Sequence, residues 1–161
     1  MKILSMKTTI FLGAMLSLLV CLMFTGCSNS ETNSTSRGLT DFAHIEEEYL
    51  ATIDSLNWPD GITLPDKLED EDTGASFQVG YGETRASYLW EYSWMKEWLD
   101  TYNTDPERAE KALEELEKAF DMPYMGIDRC DDATRNYLRE NIDKAKLGDP
   151  SGFTESIRDQ L

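Results

Sequence analysis

From Asp41 onward, apolar side chains recur at intervals of three and four with polar residues between them, the pattern of helices that bury one face. Phe42, Ile45, Tyr49, Ile53 and Leu56 form the first stripe and predict a helix over 41–56, with Thr40 or Asp41 as its cap. Trp58-Pro59-Asp60-Gly61 stops that helix, and Pro65 blocks an early restart. Periodicity is absent between Gly61 and Gly82, so a long irregular loop is expected there, with a short extended piece over 75–79. A second helix is expected over 83–102. Tyr88, Tyr92, Met95, Leu99 and Tyr102 make one of its stripes, and Trp90, Trp94 and Trp98 make another beside it. Together the stripes cover about half the circumference and leave Ser93, Lys96, Glu97 and Asp100 on the wet side, so several other helices must cover this one.

Thr104-Asp105-Pro106-Glu107 carries a cap, a first-turn proline and an acid at the positive end of the helix dipole, and so opens a third helix. Ala109, Ala112, Leu113, Leu116, Ala119 and Phe120 are its apolar face, and Glu107/Lys111 and Glu114/Lys118 are spaced for i,i+4 pairing. The turn before it is short, so the second and third helices should pack antiparallel. After a connector over 121–129, a fourth helix runs over 132–147. Asp131 is its cap, Ala133, Tyr137, Leu138, Ile142 and Ala145 point inward, and Gly148 ends it. A short fifth helix opens at Asp149-Pro150 and presents Phe153, Ile157 and Leu161. The fold expected is all-α, a bundle of four to five helices with one long irregular loop after the first.

The N-terminus follows a different grammar. Lys2 and Lys7 precede an apolar stretch from Ile10 to Phe24, no acid interrupts it, and Phe24-Thr25-Gly26-Cys27 closes it. This arrangement resembles the signal peptide of bacterial lipoprotein precursors, whose lipobox reads Leu, a small residue, Gly or Ala, then Cys. Phe24 departs from the usual Leu, and the Gly26-Cys27 pair is intact. The resemblance covers about the first thirty residues. It implies a diacylglyceryl thioether on Cys27, cleavage before it, and attachment to a bacterial membrane with the rest of the chain on the extracytoplasmic side. Two acyl chains hold a protein stably where one is marginal. The competing expectations are an uncleaved spanning helix, against which no positive cluster follows the stretch, and an ordinary secretory signal, which has no need of a cysteine there. The division expected is therefore a signal peptide over 1–26, a lipidated Cys27 and tether over 27–39, and one acidic helical domain over 40–161. The tether, Ser28 to Gly38, has nothing to bury and an r.m.s. reach of about 20 Å.

Charge narrows the partners. The chain carries 31 acidic and 15 basic residues for a net charge of −16. Removing residues 1–26 takes away Lys2 and Lys7 and no acid, which moves that charge to −18. Such a field repels nucleic acid and anionic lipid and favours a basic protein or peptide; it also keeps a surface protein soluble. Of three cysteines, Cys21 leaves with the signal and Cys27 is the lipidation site, so Cys130 is alone in the folded part and disulfides do not hold the domain together.

Candidate chemistry is thin. His44, the only histidine, falls beside Glu47 and Glu48 on the exposed face of the first helix, and its His-x-x-Glu-Glu run lacks the second histidine of helical zinc hydrolases. Cys130, flanked by Asp128, Asp131 and Asp132, reads as a half-buried thiol at a helix entry rather than a nucleophile paired with His44. Glu69-Asp70-Glu71-Asp72 lacks the ligand spacing of a calcium loop, since Gly74 and Ser76 fall where oxygens are needed, and reads as a solvated charge run. Gly80-Tyr81-Gly82-Glu83 lacks the strand, third glycine and lysine of a phosphate-binding turn, so its glycines are expected to relieve packing against the tryptophan face. The tryptophans themselves are expected in the core rather than in a ligand groove. No metal or cofactor is called for. Two functions follow as expectations: a non-catalytic, lipid-anchored module that binds a basic protein or peptide, or a carboxylate-dependent glycan hydrolase with two acids from the loop facing the bundle. An apolar patch rimmed by acids would favour the first, and a cleft with two half-buried acids beside Trp58 or Trp94 the second.

Overall fold

A computed structural model describes residues 38–69 and 71–158. The segment over 1–26 expected to be a signal peptide, Cys27, Ser28 to Arg37, Asp70 and Leu161 lie outside the described residues. Among the described residues the order is β1 (Leu39–Thr40), α1 (Phe42–Ser55), β2 (Phe77–Gln78), α2 (Tyr81–Thr101), α3 (Pro106–Glu117), α4 (Asp132–Lys146) and α5 (Ser151–Arg158), with 3₁₀ turns at Lys118–Asp121 and Pro123–Met125. The fold is the expected all-α bundle with a long loop after its first helix. Among the described residues no helix is long and apolar enough to cross a membrane.

Three helix starts are set locally by aspartate. The side chains of Asp41, Asp105 and Asp131 accept from the backbone N–H of His44, Arg108 and Thr134 at 3.0, 3.2 and 2.8 Å, satisfying donors that a helix start leaves open. α2 is the hub, packed on α1, α3 and α5. Its antiparallel relation to α3 is visible in the side chains: Arg108 reaches Glu97 at 2.7 Å, and one turn further along α3 Lys111 lies over the ring of Trp94, one turn earlier on α2. Trp90, Trp94 and Trp98 are buried among Ala109, Ala112, Leu116, Leu138, Ile142 and Phe153. These indoles are core, each contributing on the order of 2–3 kcal/mol by burial. A second cluster of Ile45, Tyr49, Ile53, Leu68 and Ala86 lies where α1 meets α2, and Trp58 packs against both clusters.

The loop after α1 is tied down along its length. The indole N–H groups of Trp90 and Trp94 both donate to the Asn57 carbonyl, at 2.7 and 3.1 Å, and that of Trp58 donates to the Ile53 carbonyl at 2.9 Å. Leu68 is buried, and its N–H donates to Glu46 at 3.3 Å. The extended piece, β2, pairs antiparallel with β1, Leu39 opposite Gln78 and Thr40 opposite Phe77.

Several details of the predicted faces change. On α4, Ala133 and Tyr137 are exposed, and Asn141 is buried in their place beside Leu138, Ile142 and Ala145. The α5 backbone approaches so closely that a Cβ on Gly152 would fall 2.4 Å from the Asn141 side chain, and Asn141 donates to Ser156 at 3.3 Å. On α3 the expected i,i+4 pairs do not form. Lys118 takes the buried Glu115 at i,i+3, and Lys111 takes the Trp94 ring. On α2, Ser93 and Glu97 are half-buried rather than on the wet side, Glu97 because it holds Arg108.

Candidate functional site

The start of α2 is built from two directions. Gly80 has a left-handed backbone, φ +88°, and a Cβ there would lie 2.4 Å from the guanidinium of Arg129. Arg129 bridges to Glu83 at 2.7 Å. A Cβ on Gly82 would fall 1.8 Å from the Ile45 carbonyl oxygen, so α1 and α2 touch backbone to backbone. The glycines therefore admit α1 and Arg129, and the expectation that they relieve packing against the tryptophan face is corrected. The open N–H groups at this helix start donate to Glu48: Gly80 to both carboxylate oxygens, at 2.8 and 2.9 Å, and Gly82 to one of them at 3.2 Å. A helix N-terminus attracts anions, and here the chain supplies its own. Glu48 is thus a cap from another helix, 32 residues away, and not the exposed residue expected from its helical position. The exposed His44 imidazole sits 3.3 Å from Oε1 of the same carboxylate.

The most unusual side chain is Glu91. It is 6 % exposed in the middle of α2, and the Tyr124 hydroxyl donates to it at 2.6 Å. Tyr88 stands edge-on to Tyr124 at 5.5 Å between ring centres and stacks with Tyr92 at 6.2 Å. Loss of water around the Glu91 carboxyl raises its pKa to about 7, against the pull of the Tyr124 hydrogen bond. Burial, with Glu91 nearby, pushes Tyr92 up to about 12 and also raises Tyr124. Glu91 is thus a carboxyl partly protonated near neutrality, in a cage of tyrosines. Sequence reasoning passed over it because of its charge, although position 91, three after Tyr88 and one after Trp90, falls between the two aromatic stripes.

The remaining candidates are dispersed. Cys130 is buried at the entry to α4, 3.5 Å from the Met125 sulfur, and burial raises its thiol pKa, so the thiolate is disfavoured. In the acidic run, Glu69 pairs with Lys67 at 2.8 Å and Glu71 accepts from the Tyr81 hydroxyl at 2.7 Å. Asp72 accepts from the Gly74 N–H at 2.9 Å. Among the described residues no three His, Cys, Asp or Glu side chains converge as a metal site would require.

Among the described residues, grooves open on two parts of the surface. One, of about 330 Å³, runs between the loop and α2 and is lined by Tyr49, Leu68, Arg85, Tyr88 and Tyr92. The other, about 520 Å³, lies between α3 and the ends of α2 and α4. Its floor is apolar, from Trp98, Tyr102, Ala109 and Leu113, and its rim carries Glu110, Glu114 and Glu117. Lys146 pairs with Glu117 across the groove. Among the described residues Glu110 and Glu114 have no ion-pair partner. This is an apolar patch rimmed by acids. The chain matches no protein-family model, no curated protein and no solved structure.

Proposed function

We propose that this chain is an extracytoplasmic lipoprotein, anchored to a bacterial membrane through lipids on Cys27, whose helical domain is a non-catalytic module that binds a basic protein or peptide. The observation that carries the anchor is the Gly26-Cys27 pair closing a basic and then apolar N-terminus. The binding half is supported by the charge of −16 and by the apolar groove with an acidic rim. The hydrolase alternative finds less support. The loop acids Glu69, Glu71 and Asp72 are engaged by separate partners, and the buried acids Glu91 and Glu115 are bonded to Tyr124 and Lys118 rather than facing each other as the pair glycoside hydrolysis needs.

Metabolic labelling with an alkyne palmitate in a bacterial host tests the anchor. The full chain should take up label and sediment with membranes, and Cys27→Ala should lose the label. An unlabelled wild-type chain, or a labelled Cys27→Ala, sinks the lipoprotein reading. Cross-linking in intact cells tests the module: the expected product is a reproducible basic protein whose capture falls as salt is raised, and a salt-insensitive or acidic partner contradicts it.

A further inference from the structure

The groove between α3 and the ends of α2 and α4 has a definite chemistry. Trp98 and Ala109 form a closed, buried floor, whereas Tyr102 and Leu113 remain partly open to solvent. Two exposed carboxylates, Glu110 and Glu114, stand one turn apart on α3 along the same edge. Opposite them, the end of α4 places Ala145, Lys146 and Gly148 on the groove, and Leu147 between the last two is 88 % exposed. The chain thus leaves large apolar surface and unneutralised negative charge side by side. The lysines of α3 and the turn after it are committed elsewhere, Lys111 over Trp94 and Lys118 to Glu115.

We infer that this groove docks a basic segment of another protein, which inserts an apolar side chain between Trp98 and Leu113 and sets lysine or arginine against Glu110 and Glu114. The inference rests on the binding reading above and gives it a place. The apolar floor defines the groove, and the acids select the occupant. A second copy of this chain is a poor occupant because each copy carries a charge of −16. Nucleic acid and anionic lipid headgroups are disfavoured for the same reason. An apolar anchor in a desolvated pocket with a charged rim is the usual division of labour at an interface, the anchor giving affinity and the rim giving association rate and discrimination.

Fluorescence anisotropy tests this, using the full chain in zwitterionic nanodiscs and a fluorescein-labelled peptide of paired leucines between lysines, with empty nanodiscs as the blank. The double variant Glu110→Lys/Glu114→Lys should weaken binding by roughly tenfold or more, and Leu113→Ser should weaken it without changing its salt dependence. The control Glu47→Lys/Asp54→Lys makes the same charge change on the exposed face of α1 and should have a much smaller effect. Circular dichroism verifies that each variant is folded. If the control weakens binding as much as the groove variant does, or if Leu113→Ser leaves it unchanged, the groove is not the site although the preference for a basic partner stands. If the wild-type chain binds the peptide no better than the blank at low salt, both the groove and the basic-partner reading fall.

Discussion

The two sides of α2 are packed by opposite means. Toward α1 the central helix offers its small residues, Gly82 and Ala86, and α1 supplies the bulk with Ile45, Tyr49 and Ile53. Toward α3 the roles reverse: α2 supplies Trp90, Trp94 and Trp98, and α3 answers with Ala109 and Ala112. Large against small fills space in both cases. The difference lies in what fixes the sliding position of the helices. On the α1 side backbone meets backbone, and carboxylates of α1 are bonded to N–H groups of the loop and of α2. On the other side the volume of the indoles sets it. One interface is keyed by polar contacts of defined direction at its centre, and the other by shape, with the Arg108–Glu97 pair at its edge.

Substitutions that strike one key and spare the other should separate these contributions. Trp90→Ala removes the most volume and one of the two donors to Asn57, and should cost about 3–5 kcal/mol, read as a lower denaturant midpoint. Glu91→Gln probes the same side through pH. The folded state holds the Glu91 proton up to about 7 while the unfolded chain releases it near 4.5, so the folded state binds more protons between those values. Stability from this group is complete below about 4.5 and is lost as pH rises through about 7, a swing on the order of 3 kcal/mol. Glutamine stays neutral and can still accept from Tyr124, so the variant should match wild type in acid and exceed it at alkaline pH. Parallel pH–stability curves for the two proteins would refute the assignment.

On the α1 side, Gly82→Ala forces a methyl group into the Ile45 carbonyl and should cost about 1–3 kcal/mol, with hydrogen-exchange protection lost first in α1. Glu48→Ala leaves the N–H groups of Gly80 and Gly82 without their carboxylate and should cost about 1 kcal/mol. A melting temperature unchanged by Glu48→Ala would show that water replaces the cap at no cost.

Much of this architecture was legible in the sequence because it is locally encoded. Asp41, Asp105 and Asp131 stand three residues before the N–H groups they accept from, and the apolar stripes of α1, α2 and α3 lie within single helices. What was missed depends on partners far along the chain. Nothing near Glu48 announces a helix start 32 residues later, and the loop gives no sign that Leu68 is buried. Asn141 and Tyr137 exchanged places because α5, seated through Gly152, covers a different strip of α4 from the one the apolar residues suggested. Glu91 is the instructive miss, since its position was correct for burial and its charge argued otherwise. Helical spacing was the better guide, because desolvation and the Tyr124 hydroxyl together make a neutral carboxyl tolerable there. The acid-rimmed groove combines both kinds of information. Its acids and its tryptophan were visible along the chain, but their meeting required α3 to lie beside the end of α4.

The single Asn57 carbonyl that receives two indole N–H groups makes the protein its own optical gauge. Trp90 and Trp94 are both about 1 % exposed, and both are wired to the point where the chain leaves α1. Any event that lifts that junction hands both indoles to water at once, and their emission should move to longer wavelength together. A change confined to the far groove would instead register at Trp98. Intrinsic fluorescence can therefore distinguish loosening at the junction after α1 from occupancy of the groove, without any label being attached.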